Sequence, residues 1–96
     1  MTGESVQVVD NPGAHRFEAR VDGGLAGRLY YRARPDRLVL VHTEVDDELE
    51  GHGVGGRLVA GALDDIRARG LRVTAVCPFA AAYIEKHAEY SDLVAA

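Results

Sequence analysis

Glu50-Gly51-His52-Gly53-Val54-Gly55-Gly56 is the stretch whose placement decides the fold. Before it, residues 38–45 (Leu-Val-Leu-Val-His-Thr-Glu-Val) form an apolar run of strand length. After it, Val54, Leu58, Val59, Ala62, Leu63 and Ile66 recur at helical spacing, while Arg57, Asp64, Asp65, Arg67 and Arg69 occupy the other side. The segment is therefore a strand-to-helix junction that carries four glycines in six positions. A helix N-terminus leaves backbone N–H groups unpaired and partially positive, and glycines let an anion approach them closely. A flexible connection is the competing reading, and the strand-to-helix context weighs against it. A P-loop would continue with Lys and then Ser or Thr, whereas Gly56 and Arg57 follow here. A dinucleotide fingerprint follows the first strand of a parallel sheet, and the strands upstream here read as antiparallel.

Toward the N-terminus, Val6 and Val8 mark a first strand ended by Asp10-Asn11-Pro12-Gly13. Residues 15–22 alternate, with Phe17, Ala19 and Val21 on one face and Arg16, Glu18 and Arg20 on the other. Asp22-Gly23-Gly24 predicts a tight hairpin, with residues 25–32 as its return strand. Arg34-Pro35-Asp36-Arg37 makes a second turn into residues 38–45, expected as the central strand. Toward the C-terminus, the helix starts near Gly53 and stops at Gly70 in a left-handed cap. Residues 71–76 return as a strand through a right-handed parallel crossover. Pro78 opens a second helix over residues 79–88, with Phe79, Tyr83 and His87 spaced by four, and residues 90–96 are read as a short tail. The fold class expected is α+β: a mixed, mainly antiparallel sheet with a parallel β-α-β crossover and a C-terminal helix, forming one domain over residues 1–96.

These residues resemble a known family. Gly51-His52-Gly53-Val54-Gly55 is similar to the pyrophosphate loop of the Gcn5-related N-acetyltransferases, and the order of elements is similar to that fold. His42-Thr43-Glu44-Val45, Glu48-Leu49-Glu50-Gly51, Cys77-Pro78-Phe79 and Lys86-His87-Ala88-Glu89-Tyr90 narrow the resemblance to its small members of roughly a hundred residues. The resemblance implies acetyl-CoA as co-substrate and an amine acceptor. It implies that the donor lies where the strand ending near Val45 and the strand ending near Cys77 splay apart. Thr43 to Val45 would pair with the pantetheine arm. Amides of Gly51, His52, Gly53, Val54, Gly55 and Gly56 would hold the pyrophosphate. Pro78, Phe79, Tyr83, Lys86 and His87 would flank the thioester and nucleotide ends. Two departures stand out. Glu50 replaces the Gln or Arg usual in the larger family, and is expected to point away from the phosphates. The pair of helices that larger members place between their first strands is missing, which leaves the acceptor site open.

Four side chains are weighed for the chemistry. Cys77 ends the return strand and is a candidate nucleophile if its thiol is activated by the helix start at Pro78, the alternative being an inert buried cysteine. His42 and Glu44 share a strand face, placed by strict alternation with Leu38 and Leu40, and are candidates for general base. The alternative is a hydrogen-bonded structural pair. Tyr83 is read as packing with Phe79 or as donor to the leaving thiolate. Glu44, Asp46, Asp47, Glu48 and Glu50 put five carboxylates in seven residues, either to attract a cationic amine or as a solvated loop before a helix. His42, Glu44, His52, Cys77 and His87 show no close-spaced ligand pair, so no metal is expected.

Composition narrows the function classes. The 96 residues carry a net charge of −4, with ten scattered Arg and a single lysine, Lys86, which argues against nucleic acid. No 18-residue apolar stretch is present, and the lone Cys77 forms no internal disulfide, so a cytoplasmic protein without a membrane span is expected. The function expected is N-acetyl transfer to an unknown amine, small molecule or protein. A non-catalytic CoA-binding sensor or interaction module is the alternative, and a structural domain whose glycine run is only a turn is the third reading.

Overall fold

The computed structural model describes residues 6–49 and 51–95, so Glu50 and its expected orientation lie outside the described residues. Five strands form one sheet in sequence order: β1 (Val6–Asn11), β2 (Arg16–Val21), β3 (Gly24–Ala33), β4 (Arg37–Val45) and β5 (Arg72–Ala75). The first four are antiparallel neighbours, and β5 runs parallel to β4 after a crossover through helix α1 (Val54–Ala68). Helix α2 (Pro78–Lys86) follows, then a 3₁₀ segment, Ala88–Leu93. The fold class expected from the sequence is the one found. The central place differs: β3 is the middle strand, and β4 lies between β3 and β5.

Local sequence explains the junctions. Asp22 (φ 52°) and Gly23 (φ 81°) close a two-residue turn in which both residues are left-handed, the geometry that matches the twist of a β-hairpin. Helix α1 ends with Gly70 N donating to the Arg67 carbonyl and Leu71 N to the Ile66 carbonyl, the paired bonds of a Schellman cap. Helix α2 is shorter than the spacing predicted, because His87 leaves helical geometry at φ −127°. The expected tail is instead packed structure: Tyr90 and Leu93 are buried, and Val94 bridges Val73 in parallel. A 3₁₀ period falls on neither the helical nor the strand template, so this segment is not marked in the sequence.

The core lies between the sheet and α1. Phe17, Ala19, Leu29, Tyr31, Leu38, Leu40 and Val73 from the strands meet Leu58, Val59, Ala62, Leu63 and Ile66 from the helix. The alternation read for β2 holds, with one correction: Glu18, assigned to the polar face, is buried at 2% exposure. It survives there because Asn11 Nδ2 donates to it at 3.0 Å, Arg16 Nε at 2.9 Å and Arg20 Nη2 at 2.8 Å. The Asn11 bond first, then the two guanidinium groups, hold its carboxyl down at about 2 despite burial. A depressed carboxylate stabilises the fold above its unfolded-state pKa and loses that contribution as pH falls through the folded one. Glu18→Gln is therefore expected to lower Tm at neutral pH, by about 1–3 kcal/mol of stability. The gap between the melting curves of wild type and variant should close between about pH 4.5 and pH 2. A pH-independent gap would exclude ionisation as its source.

Candidate active site

The glycine run forms a concave site. Gly51 and Gly53 are both left-handed, at φ 85° and 79°, and Gly53 is the residue on which α1 starts. The first helical bond is Arg57 N to the Gly53 carbonyl, at 3.1 Å. The N–H groups of Val54, Gly55 and Gly56 thus have no intrahelical acceptor. They border a cavity of about 380 Å³ lined by Thr43, Val45, Leu49, Gly51, Gly53, Val54, Gly55, Gly56 and Phe79. A Cβ at Gly55 would sit 2.9 Å from Cζ of the half-exposed Phe79, so a larger residue there would displace that ring. His52 is exposed between the two left-handed glycines. No carboxylate of Asp46, Asp47 or Glu48 lines this cavity, and Asp46 accepts from Arg28 at 2.9 Å.

The opposite wall comes from β4, which outruns β5. Pairing with β5 ends at Leu40, whose carbonyl accepts from both Val76 N and Cys77 N at 2.9 Å. Residues 41–45 continue with no strand on that side among the described residues, so the two strands splay and leave a free backbone edge. At the same point the β3–β4 register slips: Tyr31 faces Leu40 while Tyr30 faces His42, which makes Val41 a β-bulge. The bulge flips the side-chain alternation. His42 and Glu44 do not share the face of Leu38 and Leu40, as strict alternation predicts; they point to the opposite face, with side chains 60% and 51% exposed. Thr43 and Val45 instead take the core-side face, opposite Leu29 and Gly27.

His42 and Glu44 do meet each other. His42 Nε2 lies 3.1 Å from Glu44 Oε2. A carboxylate can only accept, so Nε2 carries the hydrogen and Nδ1 is left with a lone pair. Tyr30, which the sequence reading passed over, stacks against His42 with centroids 6.2 Å apart. Its only sequence signal was its register opposite His42, which the bulge concealed.

Cys77 sits at the vertex of the splay. It is 3% exposed, with Sγ 3.2 Å from Thr43 Oγ1, and it stands behind Thr43 without lining the cavity. Pro78 occupies the first helical position of α2. Phe79, 47% exposed, borders both the main cavity and a smaller groove of about 170 Å³ with Ala82, Tyr83 and Lys86. His87 stacks on Tyr83 at 3.8 Å, and its Nδ1 donates to the Tyr83 carbonyl at 2.8 Å. Burial first, then the carboxylates of Glu89 and Asp64, raise the Tyr83 phenol, so it keeps its proton at neutral pH. Among the described residues no three His, Cys, Asp or Glu side chains converge as metal ligands.

Comparison with known proteins agrees with this architecture. The structure is similar to a GCN5-like candidate N-acetyltransferase from Staphylococcus aureus, at TM-score 0.68 and 26% identity, covering 99% of this chain and 91% of that one. It also shares the fold of a ribosomal-protein-alanine N-acetyltransferase from Brucella melitensis biovar Abortus 2308, at TM-score 0.64 and 16% identity, covering 99% of this chain and 93% of that one. No curated protein matches in sequence. The family model of the GCN5-related N-acetyl-transferases matches residues 16–93, spanning β2 to β5, the glycine loop and both helices. The chain belongs to the GCN5-related N-acetyltransferase family, of which it is a small member.

Proposed function

We propose that this protein binds acetyl-CoA along β4 and on the α1 N-terminus and transfers its acetyl group to an amine. The observation that carries the reading is the convergence of an open strand edge at residues 41–45 and three unpaired helix N–H groups on one cavity. An anion such as a pyrophosphate is stabilised by those amides and by the helix dipole. The free edge of β4 offers backbone donors and acceptors to an extended, amide-bearing arm, as an added strand would use them. Phe79 and the Tyr83–Lys86 groove lie next to the same cavity and supply an apolar and cationic wall for a nucleotide end.

Acetyl-CoA supplies the acetyl group as an activated thioester. An ammonium acceptor first gives a proton to His42 Nδ1, whose exposure lets it relay that proton to water. Glu44 holds the ring through Nε2, which leaves Nδ1 as the acceptor. The neutral nitrogen then forms the C–N bond as the C–S bond breaks. The electron pair leaves with sulfur, which takes the second nitrogen proton. Transient acetylation of Cys77 requires its thiol to pass Thr43. Intact-mass analysis after acetyl-CoA exposure separates the routes: a Cys77-dependent acetyl adduct supports the covalent one, and its absence with full turnover supports direct attack.

Calorimetry with acetyl-CoA tests the donor half of the reading. Micromolar binding is expected, and no heat at millimolar ligand would overturn it. Among the described residues only a single 3₁₀ turn, Pro12–Ala14, and no α-helix lies between β1 and β4, which favours a second reading, a CoA-binding sensor or adaptor. That reading predicts tight CoA binding and no transfer to any amine.

A further inference from the structure

The donor cavity is apolar except at one point. Thr43 carries a hydroxyl, and every other described residue lining the cavity is Val, Leu, Phe or Gly. Val45 adjoins the glycine run: a Cβ at Gly55 would lie 3.5 Å from Val45 Cγ2. Thr43 stands further back along the free edge of β4, toward the vertex where Val76 N and Cys77 N take the Leu40 carbonyl and close that edge. Its Oγ1 lies 3.2 Å from Cys77 Sγ. The Val41 bulge puts it there, since strict alternation with Leu38 and Leu40 would turn His42 to this side and Thr43 away. Cys77 is fixed from both sides. Its N–H donates to the Leu40 carbonyl at 2.9 Å, and its own carbonyl accepts from Ala81 N at 3.0 Å. The thiol is buried and makes no capping bond to α2, so its hydrogen bond is the one shared with Thr43.

We propose that the Thr43 hydroxyl donates a hydrogen bond to the thioester carbonyl of acetyl-CoA, and that Cys77 is a positioning residue that orients it. The inference rests on the donor reading above and adds a catalytic group to it. In a mostly apolar pocket a few polar groups fix the orientation of the ligand. An arm that starts at the glycine run and follows β4 meets Thr43 just before the edge closes. Between the hydroxyl and the thiol, either can donate to the other. A carbonyl oxygen can only accept. With it in place, both hydrogens are used when the thiol donates to Thr43 Oγ1 and the hydroxyl donates to the carbonyl. Each bond in such a chain polarises the next, so Thr43 is the stronger donor with the Cys77 thiol behind it. As the amine nitrogen bonds to the carbonyl carbon, the C=O π pair moves onto oxygen, where the Thr43 hydrogen bond stabilises it. The hydrogen stays covalently bound to Oγ1 throughout. Re-formation of C=O expels sulfur with its electron pair, as in direct attack. Cys77 thus acts without any bond to the acetyl group.

The test is isotope-edited infrared spectroscopy of the protein saturated with acetyl-CoA labelled at its thioester carbonyl carbon, which reads the C=O stretch without turnover. A hydrogen bond to the carbonyl lowers that frequency. The band is expected lower in wild type than in Thr43→Val, which keeps the branched shape and removes the hydroxyl. Thr43→Ser should restore the wild-type frequency. Cys77→Ala should fall between wild type and Thr43→Val, and Cys77→Ser, which still donates, should match wild type or lie lower. Loss of one neutral hydrogen bond should weaken acetyl-CoA binding in Thr43→Val by about two- to tenfold. A purely structural role would change Tm and leave the band in place. Thr43→Ala is the second hydroxyl-free variant, for use should Thr43→Val fold poorly. Equal frequencies in wild type and the hydroxyl-free variants would overturn the proposal, and a wild-type frequency in Cys77→Ala would overturn the role of Cys77. Failure of acetyl-CoA to bind the wild type would instead overturn the donor reading.

Discussion

Gly53→Val is expected to abolish acetyl-CoA binding while leaving the chain folded. Gly53 lines the main cavity, and its φ of 79° lies where a β-branched residue is strained. A Cβ there meets no atom within 4 Å, so the added side chain enters the space a phosphate would use and does not clash with the protein. The folded state is expected to lose about 1–2 kcal/mol to backbone strain. The ligand would lose at least two charge-assisted hydrogen bonds to the α1 amides, worth about 1.5–3 kcal/mol each. Together those losses raise Kd by about 10²–10⁴-fold. Gly53→Asn separates strain from occlusion, since asparagine tolerates left-handed backbone yet still fills the cradle. Calorimetry should show Gly53→Asn nearly as defective as Gly53→Val, with a Tm close to wild type. Normal affinity in Gly53→Asn would mean that the phosphates sit elsewhere.

That the start of α1 on the glycine run is legible in the sequence follows from how local its causes are. The hairpin at Asp22-Gly23, the start of α1 at Gly53 and its stop at Gly70 each depend on one or two residues whose backbone preferences are unusual, so they are visible in sequence. The core faces of β2 and α1 were visible because burial imposes a period. The errors arose where one residue breaks the period. The Val41 bulge inserts an extra residue into β4, so His42 and Glu44 leave the face of Leu38 and Leu40 while remaining paired with each other. A bulge is set by the fit between two strands and leaves no mark on the alternation of either. Glu18 failed for a related reason: its burial depends on Asn11, Arg16 and Arg20 closing over it, a tertiary fact that alternation cannot supply. Cys77, expected to end the return strand, lies two residues past β5 as the N-cap of α2, and its position behind Thr43 depends on how far β4 and β5 splay.

Leu58→Ala should have the largest effect on stability, and acetyl-CoA should reverse much of it. Leu58 is fully buried on α1, one turn from the cradle, and reaches to 3.3 Å of where a Gly27 Cβ would stand. It therefore packs against β3 backbone at a position that has no side chain of its own. Truncating a fully buried leucine costs about 3–5 kcal/mol. Against a total of about 5–15 kcal/mol, that removes a large share of the stability and lowers Tm by about 15–25 °C. The unpaired amides of residues 54–56 exist only while α1 is docked, so a ligand held by them binds the folded state alone. At a hundredfold excess over Kd it returns about 2.7 kcal/mol, raising the Tm of Leu58→Ala by about 10 °C or more. Gly53→Val should behave in the reverse way, with a smaller loss of Tm and no recovery with ligand. Differential scanning calorimetry of both variants, with and without acetyl-CoA, checks the pair. Equal recovery in the two would detach ligand binding from the α1 N-terminus. Recovery confined to Leu58→Ala ties the donor site to the helix end that the glycine run builds.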